Sequence, residues 1–249
     1  MKILKYKKGT KGRYKIYLDN DSILTLYEEV ILKYNLLLSK EIDEDTLIEL
    51  DKYNQEYDVY YVALDSISRR FKSTYELKEL LKRKEYPEDL IDIAIDKLTK
   101  QGYLNDKSFT KSYINTAIMT SNKEPRKIER ELLDKKIDKN TIYEEIGVFT
   151  EDIQKEKINK LINKGIKANN SRGGIVLKQK IFNDIKNLGY DIDIINLVIS
   201  DYNFGNDKEL AKREYDKLYR KYSKKYSGSE LEYKIKEKLF QKGLKYEED

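Results

Sequence analysis

The sequence predicts a mainly α protein: tandem three-helix repeats forming an elongated curved array, with a small N-terminal β-meander. Two patterns predict it. Apolar residues spaced by four and then five positions recur four times: Leu77, Leu81 and Tyr86; Ile128, Leu132 and Ile137; Ile181, Ile185 and Tyr190; and Ile235, Leu239 and Leu244. Successive copies are offset by 51, 53 and 54 residues, the mark of similar helical modules sharing a continuous core. Short β-like runs are confined to the start of the chain.

Those runs are Ile3, Leu4 and Tyr6, then Tyr14, Ile16 and Leu18, then Ile23, Leu24 and Leu26. Gly9-Thr10-Lys11-Gly12 and Asp19-Asn20-Asp21 supply the turns. Three such strands are too short to stand alone, so they should dock on the first helix of the array. Glu28 to Tyr34 reads as a short helix, which completes a segment of residues 1–42. Repeat 1 takes 43–106. Asp43 to Arg69 reads as one long or broken helix with apolar positions at Leu47, Leu50, Tyr57, Tyr61, Leu64 and Ile67. Ser73 with Glu76 forms a capping box, Pro87 suits a first helical turn, and Gly102 stops the third helix. Repeat 2 takes 107–150, with Phe109, Tyr113 and Ala117 on its first helix and Pro125 opening its second. Repeat 3 takes 151–204, and a truncated repeat 4 takes 205–249.

Cysteine and histidine are both absent from the 249 residues. Disulfides, Cys or His zinc sites, and Ser-His or Cys-His nucleophiles are therefore excluded. Only carboxylates, Lys, Tyr or an oxygen-bound metal could support catalysis, which leaves a Mg²⁺-dependent nuclease formally open. No carboxylate cluster supports it. The acids between Glu41 and Asp58 fall all around a helix and lack calcium-loop spacing. No catalytic residue, metal or cofactor is expected.

Basic residues number 50 against 45 acids, and the net charge of +5 hides strong local asymmetry. Seven basic residues and no acid precede Asp19; eight acids face Lys52 alone from Glu41 to Asp58; seven basic residues face two acids from Arg69 to Lys84. Such blocks suit a protein that meets a charged assembly with one face, although ordinary solvated helix faces give the same pattern. No apolar run reaches the ~20 residues of a membrane span, and no secretory signal opens the chain, so a cytoplasmic protein is expected.

The string from Ala63 to Leu77 contains Ser68-Arg69-Arg70, then Ser73, Glu76 and Leu77. It is followed by Gly102-Tyr103-Leu104-Asn105-Asp106, by Phe109 and Tyr113, and by Pro125-Arg126-Lys127-Ile128. With the modules and the meander, this resembles the RecX family of RecA regulators along the whole chain, most strongly from Ala63 to Ile137. Two departures stand out. Family members commonly carry Gly just before the apolar residue that ends helix two; this chain keeps Gly189 and Gly243 but has Glu85 and Lys136 in the first two copies. A left-handed turn there favours glycine, so those two helix ends should be altered or strained. Lys123-Glu124-Pro125-Arg126 also replaces the family's usual Lys-Gly-Pro-Arg.

The resemblance implies a non-catalytic monomer that lies along RecA filaments on single-stranded DNA and inhibits RecA's recombinase, ATPase and coprotease activities. A general nucleic-acid-binding helical protein acting without RecA is the alternative. The candidate contacts are Arg69, Arg70, Lys72, Lys82, Arg83, Lys123, Arg126, Lys127, Arg130, Arg172 and Lys178. Lys82 and Arg83, then Arg126, Lys127 and Arg130, would form a basic ladder on helix two of successive modules. Helix capping and solvation are the plain alternatives for these cations. Tyr103, Phe109 and Tyr113 could stack on bases, but their spacing assigns them to the core. Ser171-Arg172-Gly173-Gly174 lacks the Gly-Lys-Ser/Thr ending of a phosphate loop and reads as a flexible interhelical loop.

Overall fold

Three strands open the chain: β1 (Ile3–Lys8), β2 (Arg13–Leu18) and β3 (Ile23–Tyr27) form an antiparallel sheet in the order β1-β2-β3. Alternation places Ile16, Leu18 and Leu26 on the buried side. The computed structural model describes residues 1–205 and 208–246. Its chain divides into two compact units, Met1–Thr110 with Lys135–Ile137, and Lys111–Asp134 with Asp138–Asp249.

In the first unit the sheet is followed by α1 (Glu28–Lys33) and by a single turn of helix, α2 (Leu36–Ser39), that the sequence pattern does not reveal. Then comes α3 (Glu44–Arg69), 26 residues without a break. Asp43 caps it, its side chain accepting from the Thr46 amide. The sheet docks on α3 as expected: Ile3, Ile16, Leu18, Leu26, Val30 and Leu50 share one core, with Tyr57 and Tyr61 packed beside it. The far half of α3 turns a different face inward. Val59, Tyr60 and Ala63 join Leu77 and Leu81 of α4 (Thr74–Lys82) and Ile91, Ala94 and Leu98 of α5 (Glu88–Lys100). One helix thus serves two cores in succession, and the apolar positions read from the sequence, Leu47, Leu50, Tyr57, Tyr61, Leu64 and Ile67, pack on one or the other.

Ser73 forms the expected capping box with Glu76, each satisfying the other's backbone N–H. Pro87 sits at the N-cap of α5. Gly102 takes φ +77° after that helix. The chain reversal there puts Leu104, not Tyr103, into the core: Leu104 is 2% exposed and Tyr103 is 57% exposed. The core assignment of Tyr103 is thereby corrected, while Phe109 is buried and Tyr113 half-buried.

Helix α6 (Asp106–Thr120) leads into the second unit, which holds α7 (Pro125–Asp134), α8 (Lys139–Ile146), α9 (Glu151–Ala168), α10 (Gly174–Asn187), α11 (Ile192–Ser200), α12 (Lys208–Tyr222) and α13 (Gly228–Gln241). Ile158 and Ile162 of α9, Leu177, Ile181 and Ile185 of α10, and Ile195, Val198 and Ile199 of α11 build one core. Ala211 and Leu218 of α12 pack with Leu231, Ile235 and Leu239 of α13 in another. The loop before α10 is docked rather than free. The Gly173 amide donates to the Lys242 carbonyl at 2.9 Å, and a Cβ on Gly173 would meet the Leu244 side chain at 2.7 Å.

The four-then-five spacing acquires a geometric meaning here. The first step is one helical turn on a buried face. The second spans a helix end that closes through a residue in the left-handed region. After α4 the Glu85 amide donates to the Lys82 carbonyl (2.9 Å) and the Tyr86 amide to the Leu81 carbonyl (3.4 Å). After α13 Gly243 and Leu244 repeat the pattern with Phe240 and Leu239, both at 2.9 Å. This is the Schellman arrangement, in which the apolar residue beyond the turn folds back on the last turn of helix.

Candidate functional site

The Ser68–Glu76 element owes its shape to how α3 ends. Arg70 leaves the helix in extended conformation (φ −154°, ψ 133°), and three residues later Ser73 caps α4. Lys72 turns back so that its Nζ donates to the Ser66 carbonyl at 3.1 Å, satisfying a carbonyl that the helix end leaves open. Burial, with the nearby Arg70 charge, holds the Lys72 ammonium below the usual lysine range. Ser68 Oγ donates to the Asp65 carbonyl at 2.9 Å.

Glu76 organises the rest. Its Oε2 accepts from the Ser73 amide at 3.2 Å, and its Oε1 faces both Arg70 (3.2 Å) and Lys135 (2.5 Å). Burial alone would raise its pKa, but the hydrogen bonds from Lys135 and from the Ser73 backbone, with the Lys135 and Arg70 charges, leave it lowered. Asp106 supplies a further clamp, its Oδ1 accepting from the Thr74 amide at 2.8 Å. The charge pattern did not reveal Lys135 or Asp106, because each meets the element across dozens of residues of sequence.

Arg69, Arg70 and Lys72 thus sit together on one connection. Arg69 and Arg70 stay more than two-thirds exposed although both are ion-paired, Arg69 with Asp65 at 2.7 Å. Lys82 and Arg83 lie at the opposite end of α4, roughly 13 Å away at 1.5 Å per residue. There Lys82 pairs with Glu88 at 3.0 Å and Arg83 Nε donates to the Glu79 carbonyl at 3.3 Å.

In the second unit Lys123 is engaged inward, with Glu131 at 2.6 Å, and Glu131 also accepts from the Tyr113 hydroxyl at 2.7 Å. Arg126, Lys127 and Arg130 are exposed on α7, Arg172 on the connection before α10, and Lys178 on α10 itself. The basic ladder is not formed from equivalent positions. Lys82 and Arg83 occupy the last turn and C-cap of α4, whereas Arg126 and Lys127 occupy the first turn of α7. Glu124 explains part of that first turn: it is 2% exposed, and its Oε2 accepts from the Arg126 amide at 2.7 Å.

A cavity of about 500 Å³ lies beside α10, lined in part by Asn170, Arg172, Gly174, Asn203 and Arg213. Among the described residues no group of three or more carboxylates is placed to hold a metal ion. None of the helices among them is long and apolar enough to cross a membrane.

Comparison with known proteins follows the same lines. Residues 60–98, which span α4 and most of α5, match the family model described as the first three-helix domain of RecX. The Regulatory protein RecX of Bacillus velezensis is 33% identical over 248 residues, covering 98% of this chain and 93% of the relative. That of Bacillus subtilis is 32% identical over the same shares. A crystal structure of regulatory protein RecX superposes with a TM-score of 0.67 at 26% identity, covering 81% of this chain and 99% of that one. RecX from Lactobacillus salivarius gives 0.55 at 28% identity, over 60% and 97%.

Proposed function

This chain belongs to the RecX family, and from that premise we propose that it binds RecA filaments on single-stranded DNA and lowers RecA's recombinase, ATPase and coprotease activities. The family is one of regulatory proteins, not of enzymes. The observation that carries the reading is similarity at this level along 98% of the chain. The ordered Ser68–Glu76 element lends local support. An exposed arginine pair held at a rigid junction presents its charge at little entropic cost, and an exposed internal ion pair is weak enough for a partner's carboxylates or phosphates to displace. Action is by binding, in the cytoplasm, by a monomer whose further contacts are Lys72, Lys82, Arg83, Lys123, Arg126, Lys127, Arg130, Arg172 and Lys178.

The test is RecA's ATP hydrolysis on single-stranded DNA with and without the protein, at two salt concentrations. Hydrolysis should fall at both, and the double substitution Arg69→Gln with Arg70→Gln should demand more protein for the same inhibition. Unchanged hydrolysis at saturating protein overturns the reading. Inhibition that vanishes at the higher salt reduces it to charge attraction.

A further inference from the structure

Residues 208–226 carry eight basic residues against three acids, a net of +5 that equals the net charge of the whole chain. Helix α12 sorts them by face. Ala211, Glu214 and Leu218 are buried, while Arg213, Lys217 and Arg220 follow at steps of four and three and are exposed. At 100° per residue they form one stripe on the side away from the buried residues. Lys224 and Lys225, also exposed, continue it into the turn after the helix.

These cations differ from those of the Ser68–Glu76 element in how they are compensated. Glu214, buried in the core, accepts from Lys217 at 2.7 Å and from Lys242 at 2.6 Å. Arg213 donates to the Asn170 carbonyl at 2.5 Å and, among the described residues, has no carboxylate partner. Among those residues Arg220, Lys224 and Lys225 likewise form no ion pair. Lys217 is thus neutralised from within, whereas Arg213, Arg220, Lys224 and Lys225 outnumber the exposed acids nearest them, Glu209 and Asp216. Such a surplus of like charge repels itself, and an external polyanion relieves that repulsion while releasing its own counterions. Tyr219, 47% exposed, lies at the flank of the stripe, its ring stacked beside that of Tyr215 at 6.2 Å. An exposed ring at the edge of a cationic face is what a strand with unstacked bases uses, and an acidic protein surface does not require it.

We propose that α12 and the turn after it form a binding surface for single-stranded nucleic acid, with Arg213, Lys217, Arg220 and Lys224 along the phosphates and Tyr219 against a base. The surface deepens the reading above by giving the chain its own hold on the strand. It is tested without RecA, so the two readings fail separately.

The measurement is fluorescence anisotropy of a labelled oligo-dT with the full chain across a salt series. One variant carries Arg213→Gln, Arg220→Gln, Lys224→Gln and Lys225→Gln. A control carries Lys5→Gln, Lys7→Gln, Lys8→Gln and Lys15→Gln, which removes as many exposed charges from the N-terminal sheet. The first should bind at least about thirtyfold more weakly at low salt, with the log–log salt slope reduced by about 0.7 for each phosphate no longer neutralised. The control should stay within about threefold of the parent. Tyr219→Ala should weaken oligo-dT binding about tenfold while leaving heparin binding unchanged. Matching thermal transitions exclude unfolding as the cause. Equal losses of affinity in the two quadruple variants, or undiminished binding by the first, would overturn the proposal. Binding to poly-glutamate as tight as to oligo-dT would overturn it in favour of an acidic protein partner.

Discussion

The helix-closing turns whose residues lie in the first unit and those in the second reach the same left-handed conformation with different residues. In the first, Glu85 (φ 64°) and Lys136 (φ 57°) occupy the left-handed region with their side chains in solvent; in the second, Gly189 (φ 100°) and Gly243 (φ 72°) occupy it. Conformation alone does not explain the split, since all four positions ask for positive φ. Space does. A Cβ on Gly243 would lie 2.1 Å from the Gly173 carbonyl oxygen and 2.9 Å from Val176 Cβ, and one on Gly189 would lie 2.8 Å from Glu124 Cγ. Glycine is kept where another segment occupies the place of the side chain, and was dispensable where that place is water.

The sharpest break of this comparison is Gly243→Ala. The methyl group would strike backbone, so the loop at Gly173 must lift and give up its hydrogen bond to the Lys242 carbonyl. A destabilisation of about 3–5 kcal/mol is expected from overpacking, left-handed strain and the broken hydrogen bond together. Urea unfolding measures it. A change below about 1 kcal/mol would mean that the two segments are not held together as described.

Gly189→Ala should cost less, about 2–3 kcal/mol, because its new atom meets a side chain. That side chain is the buried Glu124, whose displacement uncaps the first turn of α7 at Arg126. Combining Gly189→Ala with Glu124→Ala should recover part of the stability, since the obstruction is gone. Simple addition of the two effects would deny that the residues touch.

The first unit secures its turn at Lys136 by charge instead, through Lys135 on Glu76. Glu76→Ala removes half of the capping box together with the anion facing Arg70 and Lys135, a destabilisation of about 1–2 kcal/mol. Because the Glu76 pKa is lowered from its ordinary 4.5, the carboxylate stabilises the fold fully above that value. Its contribution declines as pH falls through the lower folded pKa. The stability gap between parent and variant should therefore be constant near neutrality and close in acid. A gap that does not narrow in acid would assign the effect to packing.

Much of this was legible in the sequence, and what was missed has a common cause. Strand alternation, the Ser73–Glu76 box and the departures at Glu85 and Lys136 are local signals, decided within a few residues, and the structure repeats them. Tyr103 was misassigned because periodicity cannot see a reversal at Gly102. Val59 and Ala63 were overlooked because α3 changes neighbours midway. The Glu76–Lys135 pair and the close approach of Glu124 to Gly189 join residues far apart in the chain, and no spacing rule reports them. The candidate cations could be named from charge runs. Which of them were already neutralised by an internal acid depended on tertiary partners.

The smallest effect is also the most discriminating. If left-handed strain persists at Glu85, then Glu85→Gly should relieve about 1–2 kcal/mol of it. The same change gives the unfolded chain more freedom, which offsets about 0.4–1 kcal/mol. A net gain of about 0.8 kcal/mol is left. Lys136→Gly should gain less, because Lys136 Nζ lies 6.0 Å from the Tyr75 ring centroid and the substitution forfeits that attraction. Urea midpoints that rise for Glu85→Gly and scarcely move for Lys136→Gly would show strain carried at a solvent-facing turn. A fall in both would mean that these helix ends have adapted to their side chains, and that space alone separates the two units.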